Sequence, residues 1–360
     1  MRGVYIHIPF CKNICSYCDF CKFLYNGEWA NTYLDFLNQE IQEYYEGDKV
    51  KSIYIGGGTP SSLSTSNLNK LFEIISHIRR IEDAEITFEC NINDITEELL
   101  IILKGNNVNR LSIGVESFNK RNLKLMNRSH TKKEVFEKIN LCKRLGFNNI
   151  NVDLIYALPD ESLFTLKSDL NTMLKLGITH VSTYSLIIEE HTMLYNNGTK
   201  PIDELLDYKM YKYICKKLKK RGFHHYEVSN FSLPGYESKH NLIYWDNNEY
   251  YGFGLGAHGY INEMRYENTR NFNKYLKGKY RLNELLVSTQ EEMENEVILG
   301  LRKLDGISIS EFNNRFKKDI FDVFKLDEAI KRKYLIMNGD KIYIPEDKIY
   351  VMNEIINMIL

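Results

Sequence analysis

Short runs of β-branched and aromatic residues punctuate the first half of the chain: Val4 to Ile8, Ser52 to Ile55, Ile86 to Glu89, Arg110 to Val115, Asn149 to Tyr156 and His180 to Leu186. Between them lie stretches with apolar residues at helical spacing. Leu34 to Tyr44 is one, and another starts at Thr131, where Glu134 completes a capping box. Strands alternating with helices at about thirty-residue spacing predict βαβ units and a parallel sheet. Six such units predict an α/β fold, a partial (β/α)6 barrel that is a splayed relative of the eight-fold barrel.

The polar residues keep a phase within this pattern. Cys11, Cys15 and Cys18 follow the first strand, and Gly56-Gly57-Gly58-Thr59-Pro60 follows the second. Glu89 ends the third, Glu116 the fourth, and Asp153 sits within the fifth. Ligand sites in parallel α/β folds collect at the carboxyl ends of strands, so these residues are expected to face one cavity.

Beyond residue 200 the pattern changes. A lysine-rich helical segment, Ile202 to Lys220, leads to Tyr226-Glu227-Val228-Ser229-Asn230-Phe231 and then to a Gly- and aromatic-rich region from Gly235 to Tyr260. From Thr289 the chain reads as helices, Glu291 to Leu301 and Ile309 to Phe316. It closes with a hairpin around Asn338-Gly339 that pairs Tyr334 to Met337 with Lys341 to Ile344. The expected organisation is a barrel domain over 1–200, a connecting region over 201–288, and a small helical, winged-helix-like domain over 289–360.

The 360 residues are 43% hydrophobic and 26% charged, enough for one large core with an appendage. A formal net charge of -1 gives no global argument for a nucleic acid partner. The basic run Lys216 to Arg221 reads as the last turn of a helix, where cations suit the macrodipole. No apolar run reaches the roughly 18 to 20 residues of a membrane span, and no signal peptide pattern precedes Tyr5, so a cytoplasmic protein is expected. Four of the seven cysteines lie between Cys11 and Cys21. In a reducing compartment such a group reads as metal binding rather than as a disulfide framework.

The spacing of Cys11, Cys15 and Cys18 is C-x3-C-x2-C, a loop that can wrap three thiolates around one [4Fe–4S] cubane. Three ligands leave one iron open to chelate the amine and carboxylate of an amino acid, and S-adenosylmethionine (SAM) presents such a group. A zinc site would need a second pair of ligands, and no distant Cys or His pair supplies one. Cys21 extends the pattern by a further C-x2-C and leaves a fully ligated electron-transfer cluster as an alternative. Cys90, Cys142 and Cys215 read as core thiols. Glycines after the second strand let a ligand approach the backbone. Glu89 and Asp153 suit ribose hydroxyls, and Arg128 suits a carboxylate.

At these residues the chain resembles the HemW-type haem chaperones of the coproporphyrinogen oxidase-like branch of the radical SAM superfamily. The resemblance covers the Tyr5 to Phe20 motif, Gly56 to Ser61, Arg110 to Phe118, Asp153 to Pro159, Tyr184 to Glu189, Tyr226 to Phe231 and His240 to Tyr260. It implies a SAM site at Tyr5, Gly57, Gly58, Thr59, Glu89, Glu116, Arg128 and Asp153. Three positions depart from the family pattern: Glu116 replaces a usual Gln, Ile92 a usual Pro and Ala157 a usual Gly.

The resemblance also implies haem as cargo, apo-haem proteins of respiration as clients, an electron donor, transient membrane association and a homodimer. The enzyme alternative is an oxygen-independent coproporphyrinogen III oxidase using SAM-derived radical chemistry. Such oxidases carry a further Cys where this chain has Phe20, together with an N-terminal extension. His240-Asn241-Leu242-Ile243-Tyr244-Trp245 matches the H-N-x-x-Y-W string of the HemW type. His240 could ligate haem iron, with Tyr244 and Trp245 flanking the macrocycle. The alternative is a buried structural loop, and the residues leave both open. His224 and His225 read as surface or structural residues.

Overall fold

Apolar and polar side chains alternate along the strands, and the computed structural model, which describes residues 1–360, shows what the alternation separates. Six parallel strands form the expected barrel wall: β1 (Gly3–Ile8), β2 (Val50–Gly57), β3 (Arg80–Asn91), β4 (Arg110–Glu116), β5 (Asn149–Tyr156) and β6 (His180–Ser185). Val4, Ile6, Ile8, Ile53, Ile55, Ile86 and Phe88 point outward and are buried in the main core. Each such side chain contributes about 1.5–3 kcal/mol of apolar burial. The inner face is polar: Tyr5, His7, Tyr54, Glu89, Ser112, Asn151, Asp153 and His180.

The outer layer is helical. Helix α1 (Gly27–Tyr44) buries Ala30, Tyr33, Leu34, Leu37 and Ile41 on one stripe. It starts seven residues before the apolar periodicity does, because Asn26 caps it by accepting from the amides of Glu28 and Trp29. Helices α2 (Thr65–Ser76), α3 (Glu97–Gly105), α4 (Lys132–Arg144) and α5 (Leu163–Met173) follow successive strands. The Thr131–Glu134 capping box at the start of α4 is present as read.

Residues 201–288 do not form a mere connection. After α6 (Glu204–Lys219) they supply the other six strands of one 12-stranded sheet. β7 (His224–Glu227) and β8 (Asn230–Ser232) run antiparallel beyond β6. After the short helix α7 (Lys239–Trp245), β9 (Tyr250–Phe253) pairs parallel with β1 on its free side. β10 (His258–Ile261), β11 (Met264–Asn268) and β12 (Arg281–Leu286) extend that edge as an antiparallel meander. The C-terminal unit has α8 (Thr289–Gly300), α9 (Ile309–Phe316) and the expected hairpin, Ile336–Asn338 against Lys341–Tyr343, with Ile307–Ser308 as a third strand. Its apolar residues Phe312, Ile342 and Ile356 join the same core as the barrel.

A buried carboxylate fastens the meander to the barrel. Glu40 on α1 is fully buried and accepts from the Gly254 amide at 2.8 Å, Asn268 at 2.6 Å and the Tyr275 hydroxyl at 2.5 Å. Arg281 lies 3.9 Å away. Removing one member of such a network strands the others, so Glu40→Ala is expected to cost about 3 kcal/mol in a denaturant titration. A loss below about 1 kcal/mol would show the network to be slack.

Candidate functional site at the barrel mouth

The cysteine loop leaves β1 and is tied to the segment after β4. The Ser16 amide donates to the Met126 carbonyl at 3.3 Å, and Asn127 Nδ2 donates to the Ile14 carbonyl at 2.8 Å. A satellite apolar cluster of Leu123, Met126, Ile155, Leu158, Leu186 and Leu194, with Tyr17 packed against it, closes the same region. Thr59 Oγ1 donates to Cys11 Sγ at 3.4 Å, and Arg128 Nη1 donates to Cys15 Sγ at 3.3 Å. Burial pushes the Cys11 thiol up to about 11, while the Thr59 hydroxyl pulls it down and Cys18 and Cys15 push it up further. Donors aimed at sulfur favour thiolates, the form that binds metal.

The three thiols lie close enough for Cys15 and Cys18 to act on Cys11. In a cubane each thiolate would meet a different iron. Cys21 is buried and packs elsewhere, its sulfur 3.8 Å from the Arg270 carbonyl and beside Gly256.

The glycine turn serves the chain as well as a ligand. Gly57 has φ +113°, and a Cβ there would lie 2.5 Å from the His7 ring. A Cβ on Gly58 would lie 2.9 Å from the backbone of Ile8, Pro9 and Phe10. The tight turn brings the Gly57 amide within 3.0 Å of Glu89 Oε2, and Tyr54 donates to Glu89 Oε1 at 2.7 Å. Tyr5 meets His7 Nδ1 at 3.0 Å. Burial pushes the Glu89 carboxyl up to about 7, against the Tyr54 bond. Burial also raises Asp153, which accepts from Asn151 Nδ2 at 2.8 Å.

Arg128 finds its carboxylate within the chain. It lies 3.6 Å from Glu116 and also donates to the Gly114 carbonyl. A Glu at 116 therefore pairs with a guanidinium that a Gln would only hydrogen-bond. Burial still pushes the Glu116 carboxyl up. Ala157 has φ +61°, which accounts for the glycine usual at that place in the family. Strand alternation counted back from Glu89 and Asp153 would have found Thr87, Asn151 and Asn149, which motif reading missed; Tyr54, His7 and His180 join them only through cross-strand register.

His240 is not among these groups. It lies on α7, which closes the barrel at the opposite ends of the strands, and is 1% exposed. Its Nδ1 meets Ser52 Oγ at 2.8 Å, its Nε2 meets the Tyr244 hydroxyl at 2.7 Å, and its ring lies against Tyr54. Burial holds the ring neutral, at about 3. With both nitrogens engaged, the imidazole offers no free lone pair to haem iron in this conformation. The string is a structural helix rather than a loop, and Trp245 lies under the guanidinium of Arg302.

Comparison with known proteins follows this geometry closely. Residues 5–173 match the radical SAM superfamily model, and 287–346 match the HemN C-terminal domain model. The protein named heme chaperone HemW of Lactococcus lactis is 41% identical, the match covering 100% of this chain and 97% of that one. Its namesake in Bacillus subtilis is 38% identical over 100% and 99%, and that of Escherichia coli 32% identical over 99% and 98%. The chain belongs to the HemW family. Among solved structures, coproporphyrinogen III oxidase (HemN) of Escherichia coli superposes with a TM-score of 0.86, covering 98% of this chain and 88% of that one. At 21% identity this is a likeness of fold.

Membership in this radical SAM family implies a [4Fe–4S] cluster and SAM, and the residues present fit both. Cys11, Cys15 and Cys18 would hold the cluster; Thr59 and Arg128 would stabilise its thiolates; Glu89 and Asp153 would accept the ribose hydroxyls. When bound, the cluster supplies an electron and an open coordination position for the amino-acid end of SAM. The chain's own residues would orient the nucleoside, and they keep the Arg128 charge beside the Cys15 sulfur.

Alanine at Cys11, Cys15 or Cys18 is expected to abolish iron and sulfide retention on anaerobic reconstitution, whereas Cys21→Ser retains both. Loss of iron from Cys21→Ser would restore the fully ligated alternative. Glu89 gives a pH test. A carboxyl raised from 4.5 to about 7 contributes stability that is present below about 4.5 and lost as pH rises through about 7. Glu89→Gln can keep both contacts, with the Tyr54 hydroxyl reversed, and removes the buried charge. It is expected to raise the apo-protein's melting temperature at about pH 8 and to change it little at about pH 5.

Proposed function

We propose that the chain is a haem chaperone: it binds haem and passes it to apo-haem proteins, respiratory ones among them, while carrying the cluster and SAM. The observation that supports this reading is end-to-end similarity to proteins named heme chaperone HemW, which spans the barrel, the sheet extensions and the C-terminal unit. Phe20 is 61% exposed on the cysteine loop, where oxidases of this branch carry a further Cys, so that thiol is missing here. No helix is long and apolar enough to cross a membrane. The reading places the protein in the cytoplasm, with transient contact to membrane-bound clients, an electron donor for the cluster and a homodimeric working form.

Haem-loaded protein mixed with a purified apo-haem protein is expected to transfer haem faster than haem leaves it spontaneously; an equal rate would sink the proposal. Anaerobic incubation with coproporphyrinogen III, SAM and reductant is expected to yield no protoporphyrinogen. In a haem titration His240→Ala is expected to keep the wild-type Soret position and to melt at a lower temperature, since its contacts hold the barrel floor together. A shifted Soret band would make His240 a ligand that α7 releases.

A further inference from the structure

The inner face of the barrel carries a second guanidinium that the cluster loop does not use. Arg110 begins β4, and its side chain is the largest of those wholly buried. It faces the lumen in register with Thr87 on β3 and Asn149 on β5. It joins none of the chain's ion pairs, of which Arg128–Glu116 and Arg281–Glu40 are the buried ones. Its Nε has no hydrogen-bond partner, and neither do Thr87 Oγ1 and Asn149 Oδ1 beside it. An unpaired buried cation is costly, so its position needs a reason.

That reason lies one and two inner-face rows higher. Glu89 follows Thr87 by two residues on β3, and Asp153 follows Asn149 by four on β5. The groups facing these acids are Tyr5 and His7 from β1, Tyr54 from β2, and Arg110 and Glu116 from β4. Asn151 comes from β5, His180, Ser182 and Tyr184 from β6, and Arg128 from beyond β4. Arg128 is committed to Glu116 and Cys15. His7 is held neutral by burial, as is His180, whose two nitrogens meet Asn151 and the Tyr226 hydroxyl. Arg128 still acts on Asp153 from a distance, but Arg110 is the one cation that acts on both acids. Burial raises Glu89 and Asp153 and lowers His180 and His240; the Arg110 charge works against burial at the two acids and with it at the two imidazoles. The lumen above it stays open, since Tyr184 is 43% exposed and Glu89 and Asp153 are only half-buried.

We infer that Arg110 is a positioning residue of the cofactor site: from the floor of the lumen its charge keeps Glu89 and Asp153 as acceptors for the paired hydroxyls of a ribose. The inference rests on the SAM reading of the site and is independent of haem transfer. Arg110→Met and Arg110→Lys, each carrying a reconstituted cluster, would be titrated with SAM from about pH 6 to about pH 9. For Arg110→Met, affinity at about pH 7 is expected to fall about fivefold, the effect of one further unit on a carboxyl already at about 7, and to recover as pH rises. Arg110→Lys is expected to restore the wild-type profile. A loss equal at every pH, or no loss, would overturn the inference.

Apo-protein provides a second measurement that needs neither SAM nor cluster. Arg110→Met is expected to lower the melting temperature at about pH 8 much less in a Glu89→Gln background than in wild type. Equal losses in both backgrounds, or a double variant that fails to fold as Arg110→Met does, would refute the counter-charge. Wild-type protein that binds no SAM at any pH would overturn the SAM reading instead, and the apo-protein comparison would still decide the role of Arg110.

Discussion

Charge held away from bulk water, on the inside of a sheet, is the constraint on which this molecule depends. Glu89, Glu116 and Asp153 face the lumen with Arg110 and Arg128, and burial pushes all three carboxyls upward. In so low a dielectric an unmatched charge is expensive, so each acid needs donors fixed in place before any ligand arrives. Tyr54 and the Gly57 amide serve Glu89, Asn151 serves Asp153, and Arg128 serves Glu116. The glycine turn after β2 makes the first of these possible, because a side chain at 57 would collide with His7.

The same constraint explains the floor. Helix α7 plugs the end of the barrel opposite the cysteines, and the amides of Lys239 and His240 donate to Glu85. His240 and Tyr244 satisfy Ser52 and each other, which leaves Arg110, Thr87 and Asn149 as the floor's unpartnered polar groups. The far end of the helix reaches the C-terminal unit, where Arg302 lies over Trp245 and Lys303 pairs with Asp246 at 2.5 Å. One short string therefore couples barrel, floor and C-terminal unit. That gives the string from His240 to Trp245 a structural role of its own.

The cysteine loop shows how chemistry and packing share residues. Arg128 donates to the Cys15 sulfur, to a backbone carbonyl and toward Glu116, so one guanidinium holds the loop after β4 and faces a thiol. Cys21, three residues beyond Cys18, does neither. Its sulfur is directed at Gly256 and Arg270, into the seam between the loop and the sheet extension.

The barrel strands, the capped start of α4, the α9 helix and the closing hairpin were legible because each is declared locally, by β-branched runs, a Thr-x-x-Glu box or an Asn-Gly turn. The cysteine spacing was legible because three thiolates on one short loop leave little choice of chemistry. Helix α1 was read late because its first turn is polar and its start is set by a cap. Strand β9 was missed because it is four residues with Gly252 among them and carries no clear alternation; one side of it pairs with the nearby β10, but its place in the sheet is set by pairing with β1 across nearly the whole sequence. His240 was undecided for the same reason. An imidazole is equally a ligand or a hydrogen-bonded core group, and only the positions of Ser52 and Tyr244 separate the two. By itself the sequence determined which residues could carry charge, bind metal and alternate between two faces. Only the tertiary structure decided which charges meet, since that depends on strand register and on groups more than a hundred residues apart.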